Sequence, residues 1–430
     1  MNTKKEVYLE ILRIIAICLV IFNHTGLNGY WLFTQRTPGT LSFYIYLFLS
    51  LFCKFAVPLF MAISGAVLLG RKDEPVKKNA QRIFRIVIVL VVYSFIYYLQ
   101  SIYLGECTFS WKDYVVNLIA GNISAHLWYL YLYLAFLISL PILRRLAQNL
   151  DDKLFAYMII LAVVFNGVIP CFEYALGFTL NANVKVTWIG TNIVLCPCVG
   201  YYLHTMWDHA RIKKVLLIIW IVNLLALIAE EILTIHWGIQ TNEWKGEIYH
   251  NRFAIVNAIA IWMTVKCYLE KVNWGQRVQS VVLSVGKSTF GIYLIHVLLM
   301  RTNIYTKLLM YMRGNGMNAM VAVIFMCFFV LCISCIHFLL AFLLPPPVPR
   351  VPRVPGVPRI FSVLCPPPSS SASAFGFFVC PCLLPPSFPA LPLQPMLLVP
   401  RNLFMCDLSF FCYLRLPSYY CILFEPLPGA

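Results

Sequence analysis

Apolar runs of about 20 residues recur from the N-terminus to about residue 344, and this length matches the hydrocarbon thickness of a bilayer. Because the 430-residue chain is 61% hydrophobic and only 12% charged, with a mean hydropathy of +0.79, a soluble globular fold is excluded. The first run is not a cleavable signal peptide, since it contains Arg13, lacks a small-residue cleavage site and precedes further apolar runs.

The sequence therefore predicts an all-α fold, a polytopic membrane protein built as a bundle of about ten transmembrane helices. The predicted helices cover residues 7–27, 41–69, 86–104, 126–143, 154–172, 187–203, 215–235, 252–270, 279–299 and 319–344.

The charge pattern predicts the orientation of these helices. A net charge of +16 would suit a nucleic-acid-binding protein, but the basic residues lie in short segments between apolar runs, where they act as a topology signal. With a cytoplasmic N-terminus, Lys and Arg are concentrated in the cytoplasmic segments, which favours ten spans with both termini inside the cell. The lipid bilayer is the expected partner, and nucleic acid is not.

The composition changes at residue 345. Residues 345–430 begin PPPVPRVPRVPGVPR and hold 20 of the chain's 26 prolines, a density that cannot continue a helix. The segment is also rich in Cys, Phe and Leu, unlike a solvated linker. We therefore divide the chain into a membrane domain at 1–344, which carries the function, and an irregular low-complexity tail at 345–430. The tail is either disordered or the product of a wrong reading frame or a fusion.

Arg13 and His24 stand out in the first predicted helix, because ionisable side chains inside a membrane span are costly and usually face a bundle interior or a cavity. Their separation is close to three helical turns, so both side chains point from one face, about 16 Å apart along the axis. A histidine there can act as a general base toward an alcohol. An interfacial arginine and a capped histidine would have the same spacing.

The predicted topology places further polar residues in the outer half of the bundle. His126 opens the fourth helix, Glu230 and Glu231 lie in the outer part of the seventh, and His296 lies near the outer end of the ninth. Neighbouring positions diverge by about 100° around a helix, so only one of the two glutamates can face a common site. A carboxylate at this depth can orient a histidine base, or serve as a proton-relay or structural group.

An aromatic segment, HLWYLYLYL, starts at His126. Trp128, Tyr129 and Tyr133 within it are candidates to line a sugar-binding mouth, although an interfacial aromatic belt is the commoner use of such residues.

Arg82 and Arg85 lie in the cytoplasmic half and are three residues apart, hence neighbours on one helix face. Because arginine forks bind phosphates well, the pair suits a phosphate-bearing ligand. Ordinary positive-inside anchoring is the alternative.

Several common catalytic motifs are missing from the sequence. It has no Walker loop, HExxH, DxD pair or GxSxG elbow, which argues against hydrolytic, kinase-like and metal-dependent sugar-nucleotide chemistry. The cysteines before residue 345 lie mostly in apolar segments, and Cys196 and Cys198 lack CxxC spacing, so no metal site is predicted.

Six segments together resemble the acyltransferase-3 family, integral membrane O-acyltransferases that include the O-acetyltransferases of bacterial surface polysaccharides. The segments are Arg13–x10–His24, VPLFMAISGAVLL (57–69), RIFR (82–85), HLWYLYLYLAFLISLPIL (126–143), VGYYL (199–203) and STFGIYLIH (288–296). They occur in the order and on the helices that the family uses.

The resemblance implies a bacterial inner-membrane enzyme that moves an acyl group from cytoplasmic acyl-CoA to a hydroxyl of an extracytoplasmic polysaccharide or lipid-linked glycan. Acetyl-CoA is the expected donor. The resemblance also implies that His24 is the catalytic histidine, that Arg13 acts with it, and that Arg82 and Arg85 bind the donor.

The topology adds further candidates to this set: Glu230 and His296 as catalytic residues, and His126, Trp128 and Tyr129 as acceptor-binding residues.

A transporter or flippase for a glycan or polar metabolite is the alternative, because ten helices with intramembrane charges also suit that class. The sequence shows no inverted repeat and no pair of broken helices in matching positions, which argues against it.

Overall fold

Helices make up all the regular structure of the described residues. The computed structural model describes residues 3–71, 74–241 and 253–343, and the predicted all-α class is confirmed there. The tail predicted at 345–430 lies outside these ranges. The α-helices are α1 Thr3–Asn23, α2 Leu41–Phe52, α3 Ala56–Leu68, α4 Val76–Tyr103, α5 Trp111–Ala120, α6 Trp128–Gln148, α7 Asp152–Val163, α8 Ile169–Leu176, α9 Leu195–Thr205, α10 His209–Thr241, α11 Ala254–Leu269, α12 Gln276–Met300, α13 Asn303–Gly314 and α14 Ala319–Leu343.

Seven stretches of the described chain are long and apolar enough to cross a bilayer, and all seven coincide with predicted helices. They are Leu41–Leu68, Val76–Tyr103, Ala125–Gln148, Asp152–Glu173, His209–His236, Gln276–Met300 and Ala319–Ile336.

The other three predicted helices fall on α1, α9 and α11. α1 has 21 residues but includes Glu10 and Arg13, while α11 has 16 residues. α9 has only 11 residues, about half the depth of a bilayer core. The helix predicted at 187–203 was therefore wrong in extent, because turn-forming residues around Gly190 and Asn192 keep residues 187–194 irregular.

The stretch Leu41–Leu68 is broken into α2 and α3 by a 3-10 turn at residues 53–55. Pro58, in the first turn of α3, has no N–H to bond the carbonyl four residues before it, which favours a break there. Asn23 and Asn257 donate hydrogen bonds of 3.1 and 2.8 Å to the backbone carbonyls of residues 53 and 52. Side-chain amides thus satisfy backbone groups at the break, as hydrocarbon surroundings require.

The helix α3 lies in the middle of the bundle, with all its residues except Val67 buried. It packs most closely on α9, and α1 packs against both α3 and α12. A Cβ added at Gly65 would meet the backbone of Pro197, and one added at Gly200 would meet the backbone of Ala62. The two glycines therefore allow direct backbone contact between α3 and α9, a packing mode common between membrane helices.

Two polar ends of the bundle matter for function. We call the first the histidine end; it holds the C-terminal ends of α1 and α12 and the start of α6. We call the second the Glu74 end; it holds the end of α3, the start of α4 and the end of α6.

Candidate active site

Three histidines that are far apart in sequence meet at the histidine end. His24 follows α1, His126 precedes α6, and His296 lies in the last turns of α12. Nε2 of His296 is 3.0 Å from Nδ1 of His24, and the ring centroids of these two residues are 4.8 Å apart. The ring of His126 lies 6.0 Å from that of His24 and 5.6 Å from that of His296. The structure thus brings together the three histidines that the sequence places in the outer half of the bundle.

Backbone carbonyls determine where the protons of the pair lie. Nδ1 of His24 is 2.9 Å from the Val20 carbonyl, and Nδ1 of His296 is 2.6 Å from the Tyr293 carbonyl. A carbonyl only accepts, so each Nδ1 bears a proton. Nε2 of His296 then accepts from Nδ1–H of His24, which leaves the lone pair of neutral His24 on its Nε2. This nitrogen is the one that can take a proton from an alcohol.

His126 is held in a mostly aromatic environment. It is 2% exposed, its ring centroid lies 4.4 Å from that of Tyr97, and its Nδ1 is 2.9 Å from Oγ of Ser124. Its backbone carbonyl accepts a 2.9 Å hydrogen bond from the hydroxyl of Tyr293. Its Nε2 is buried and has no hydrogen-bond partner among the residues that the structure describes. This imidazole therefore has one nitrogen able to bind a ligand in the cluster.

Arg13 lies deeper in the bundle and is paired. Its guanidinium forms an ion pair with the carboxylate of Glu10, one helical turn earlier, and both side chains are buried. Glu10 in turn packs against α12, where a Cβ added at Gly286 would meet its carboxylate. A buried charge costs much less free energy when it is paired, so Glu10 allows the arginine to remain at this depth.

The two predicted donor-binding arginines differ in environment. Arg82 forms a bidentate ion pair with Glu74, with N–O distances of 2.6 and 2.8 Å. Arg85 is exposed and forms no ion pair with any residue of the described ranges. Of the two arginines predicted to bind the donor together, Arg82 is therefore held by a carboxylate and Arg85 is exposed.

The remaining candidates are Glu230, Tyr129 and Trp128, and they differ in burial and in contacts. Glu230 is 2% exposed and accepts a 3.0 Å hydrogen bond from the backbone N–H of Phe253 before α11, so it stabilises the start of that helix. Tyr129 is fully buried and stacks on Tyr133 at 5.9 Å. Trp128 is half-buried. Among the described contacts, none joins Glu230 to a histidine of the cluster.

Sequence reasoning missed Glu10, Glu74, Tyr97 and Lys266. The ammonium of Lys266 is buried and donates to the carbonyls of Leu203, His204 and Trp207, which ties α11 to the end of α9. Glu10 and Glu74 each had a local signal, the three-residue spacing from Arg13 and from Arg71 respectively. Within the residues that the structure covers, no group of His, Cys, Asp and Glu could hold a metal ion.

An apolar cavity of about 320 Å³ lies between α1, α2 and α14. Its lining includes Cys18, Phe22 and Cys53, so it reaches the part of α1 that precedes His24. Its walls are hydrocarbon and thiol, which suits an apolar chain better than a sugar.

The fold and the two polar ends define a class: a polytopic helical membrane protein with buried imidazoles at one end and clustered cations at the other. The family model described as an acyltransferase domain, that of the acyltransferase-3 family, matches residues 6–339. The chain belongs to this family and is a membrane acyltransferase. Neither a curated protein nor a solved structure matches the chain.

Proposed function

We propose that the protein is a bacterial cell-membrane O-acetyltransferase that moves an acetyl group from cytoplasmic acetyl-CoA to a hydroxyl of an extracytoplasmic polysaccharide or lipid-linked glycan. The observation that carries this proposal is the orientation of His24, whose Nδ1 faces the Val20 carbonyl and Nε2 of His296. An imidazole oriented in this way by its neighbours is suited to general-base catalysis at Nε2.

The proposed chemistry needs one base. The acceptor oxygen attacks the thioester carbonyl, a C–O bond forms and the C–S bond breaks. Nε2 of His24 takes the hydroxyl proton and then returns it to the departing thiolate, so the imidazole ends each cycle neutral. His296 holds the His24 ring in place, and His126 offers Nε2 as a hydrogen-bond partner for the acceptor.

The donor would bind from the Glu74 end, where Arg82, paired with Glu74 in this structure, would bind its phosphates. The acyl-bearing arm would then extend toward His24 past Arg13. The buried Arg13–Glu10 pair would stabilise charge that develops on the thioester oxygen midway through the bundle.

The test uses the full-length protein in proteoliposomes with acetyl-CoA labelled in the acetyl group, and follows the label into lipid-linked or polymeric glycan. We expect transfer by the native protein and a loss of at least about 100-fold in His24→Ala, the usual worth of a general base. His209→Ala, the same substitution at the start of α10, is the matched control and should retain activity. Full activity of a folded His24→Ala protein would refute the assigned mechanism.

A transporter or flippase is the second candidate, because the break between α2 and α3 is a feature that transporters use to build midplane sites. The same proteoliposomes separate the two functions. Movement of a glycan across the membrane without consumption of acetyl-CoA would favour transport.

A further inference from the structure

One carboxylate at the Glu74 end is surrounded by four cations. Arg82 chelates Glu74 through both guanidinium NH2 groups, at 2.6 and 2.8 Å. Arg71, Lys78 and Arg144 each place a nitrogen 3.3 Å from the same carboxylate. We call these five residues the Glu74 cluster. They come from the loop after α3, the first turns of α4, and α6, so the fold brings them together from three elements.

The Glu74 cluster has more positive charge than its carboxylate can neutralise. Four cations against one anion leave a formal excess of three positive charges. Hydrogen bonds from Arg82, then its positive charge, then hydrogen bonds from Arg71 and Lys78 hold the pKa of Glu74 well below its usual range, so the carboxylate stays ionised. By comparison, Glu106 has Arg301 as its cationic partner. The Glu74 cluster is therefore suited to an anion with more than one negative charge.

The cations are also held in place without the carboxylate. Nε and Nη2 of Arg144 donate to the Leu68 carbonyl at 3.3 and 3.2 Å, and Nε of Arg71 donates to the Val67 carbonyl at 3.1 Å. These bonds anchor two of the four cations to the end of α3. Guanidinium groups that are already held in place are suited to a phosphate, because each planar group can donate two hydrogen bonds to phosphate oxygens.

We propose that the Glu74 cluster is a phosphate-binding site in which the carboxylate of Glu74 occupies the position of a donor phosphate, so that a phosphorylated ligand binds by displacing it. The identification of the ligand as the CoA part of the acyl donor rests on the proposed function. Arg71, Lys78 and Arg144 then join Arg82 as phosphate ligands, and Glu74 sets the affinity by competition.

The test measures binding, without turnover, by isothermal titration of the full-length protein in nanodiscs. The probes are CoA, inorganic pyrophosphate and pantetheine, which lacks phosphate. Glu74→Gln should raise the affinity for CoA and for pyrophosphate about tenfold, the equivalent of one charge-assisted hydrogen bond, and leave pantetheine binding unchanged. Arg144→Gln should lower the affinity for both phosphorylated probes by a similar factor.

Glu106→Gln is the matched control, since it removes a carboxylate with a single cationic partner in another loop and should leave all three affinities unchanged. Equal or weaker CoA and pyrophosphate binding by Glu74→Gln would overturn the proposal. If that variant fails to fold, Glu74→Asp keeps the charge but shortens the reach to Arg82, and should raise both affinities severalfold; unchanged affinities would again overturn it. If pyrophosphate follows the expected pattern and CoA binds no better than pantetheine, the phosphate site stands and acyl-CoA fails as the donor.

Discussion

Nε2 of His296 lies 3.0 Å from Nδ1 of His24, although 272 residues separate the two in sequence. Each Nδ1 also faces a backbone carbonyl of its own helix. The two rings therefore form a chain in which His296 accepts and His24 donates, and in the mechanism that we propose His296 is a positioning residue for His24.

Replacing His296 tests this positioning role. His296→Ala removes the acceptor for His24, so we expect acyl transfer to fall about 10- to 100-fold, less than on removal of the base itself. His296→Gln can place an amide oxygen near the former Nε2 and should recover most of the activity. The measurement is kcat/KM for acetyl transfer as a function of pH.

The pH profile separates positioning from a purely structural role. Its acid limb should move in His296→Ala and stay in place in His296→Gln, because only the first variant changes the hydrogen bonding of His24. Equal losses in the two variants with unchanged pH profiles would contradict the assignment.

The hydrogen-bonded side-chain amides of Asn223 and Asn257, at the break between α2 and α3, give a second prediction. Asn257 donates to the Phe52 carbonyl at 2.8 Å and accepts from Asn223 at 3.2 Å. Asn257→Ala leaves a buried carbonyl and a buried amide without these bonds, so we expect a loss of about 1–3 kcal/mol for each unsatisfied group. Thermal unfolding in detergent, followed by intrinsic fluorescence, measures this loss.

Asn223→Ala is the matched comparison, because it removes one amide contact and leaves the bond to Phe52 in place. Its melting temperature should lie between those of the native protein and Asn257→Ala. A native melting temperature for Asn257→Ala would show that the break does not depend on this amide.

The glycines of α3 and α9 give a third prediction. A methyl group at Gly200 would overlap the backbone of Ala62, which cannot move as a flexible side chain would. Gly200→Ala should therefore destabilise the protein by about 1–3 kcal/mol or more through overpacking. Gly314→Ala, at the end of α13 with open space around the position, is the control and should be near neutral. Equal melting temperatures for the two variants would refute close packing of α3 on α9.

Local sequence patterns predicted part of this structure. Helix periodicity placed Arg13 and His24 on one face, and α1 runs without interruption between them. The break at residues 53–55 was missed because apolar residues flank it on both sides, although Lys54 within it and Pro58 just after it could have indicated it. The helix predicted at 187–203 was too long because the apolar residues of its first part were given more weight than the turn-forming Gly190 and Asn192.

The site contained contacts that no local pattern predicts. Glu74 lies in a loop, and its partner Arg144 is on α6, 70 residues away. Tyr97 reaches His126 from α4. Such pairs depend on how helices are arranged around α3, which periodicity does not specify. Glu230 also has a contact that periodicity does not specify, since its carboxylate accepts a hydrogen bond from the backbone N–H of Phe253, and its catalytic role stays a prediction.

The ionisation of Glu74 gives a fourth prediction, on stability against pH. The cations that face this carboxylate are Arg71, Lys78, Arg82 and Arg144. Arg82 first, and then Arg71 and Lys78, hold its pKa well below the usual range. A group with a lowered folded-state pKa contributes stability above its unfolded-state pKa, and this contribution is lost as pH falls toward the folded-state pKa. The native protein should therefore lose this contribution below about pH 4.5.

Glu74→Gln isolates this contribution, because the amide does not titrate. The difference in melting temperature between the native protein and Glu74→Gln should be largest above about pH 5 and shrink steadily as the pH is lowered further. Glu106, whose pKa is also lowered by its hydrogen bond with Arg301, serves as the comparison in Glu106→Gln. With one cation facing it instead of four, the same pH dependence should be smaller there. A difference for Glu74→Gln that stays constant from pH 7 down to about pH 3 would mean that the four cations do not stabilise its ionised form.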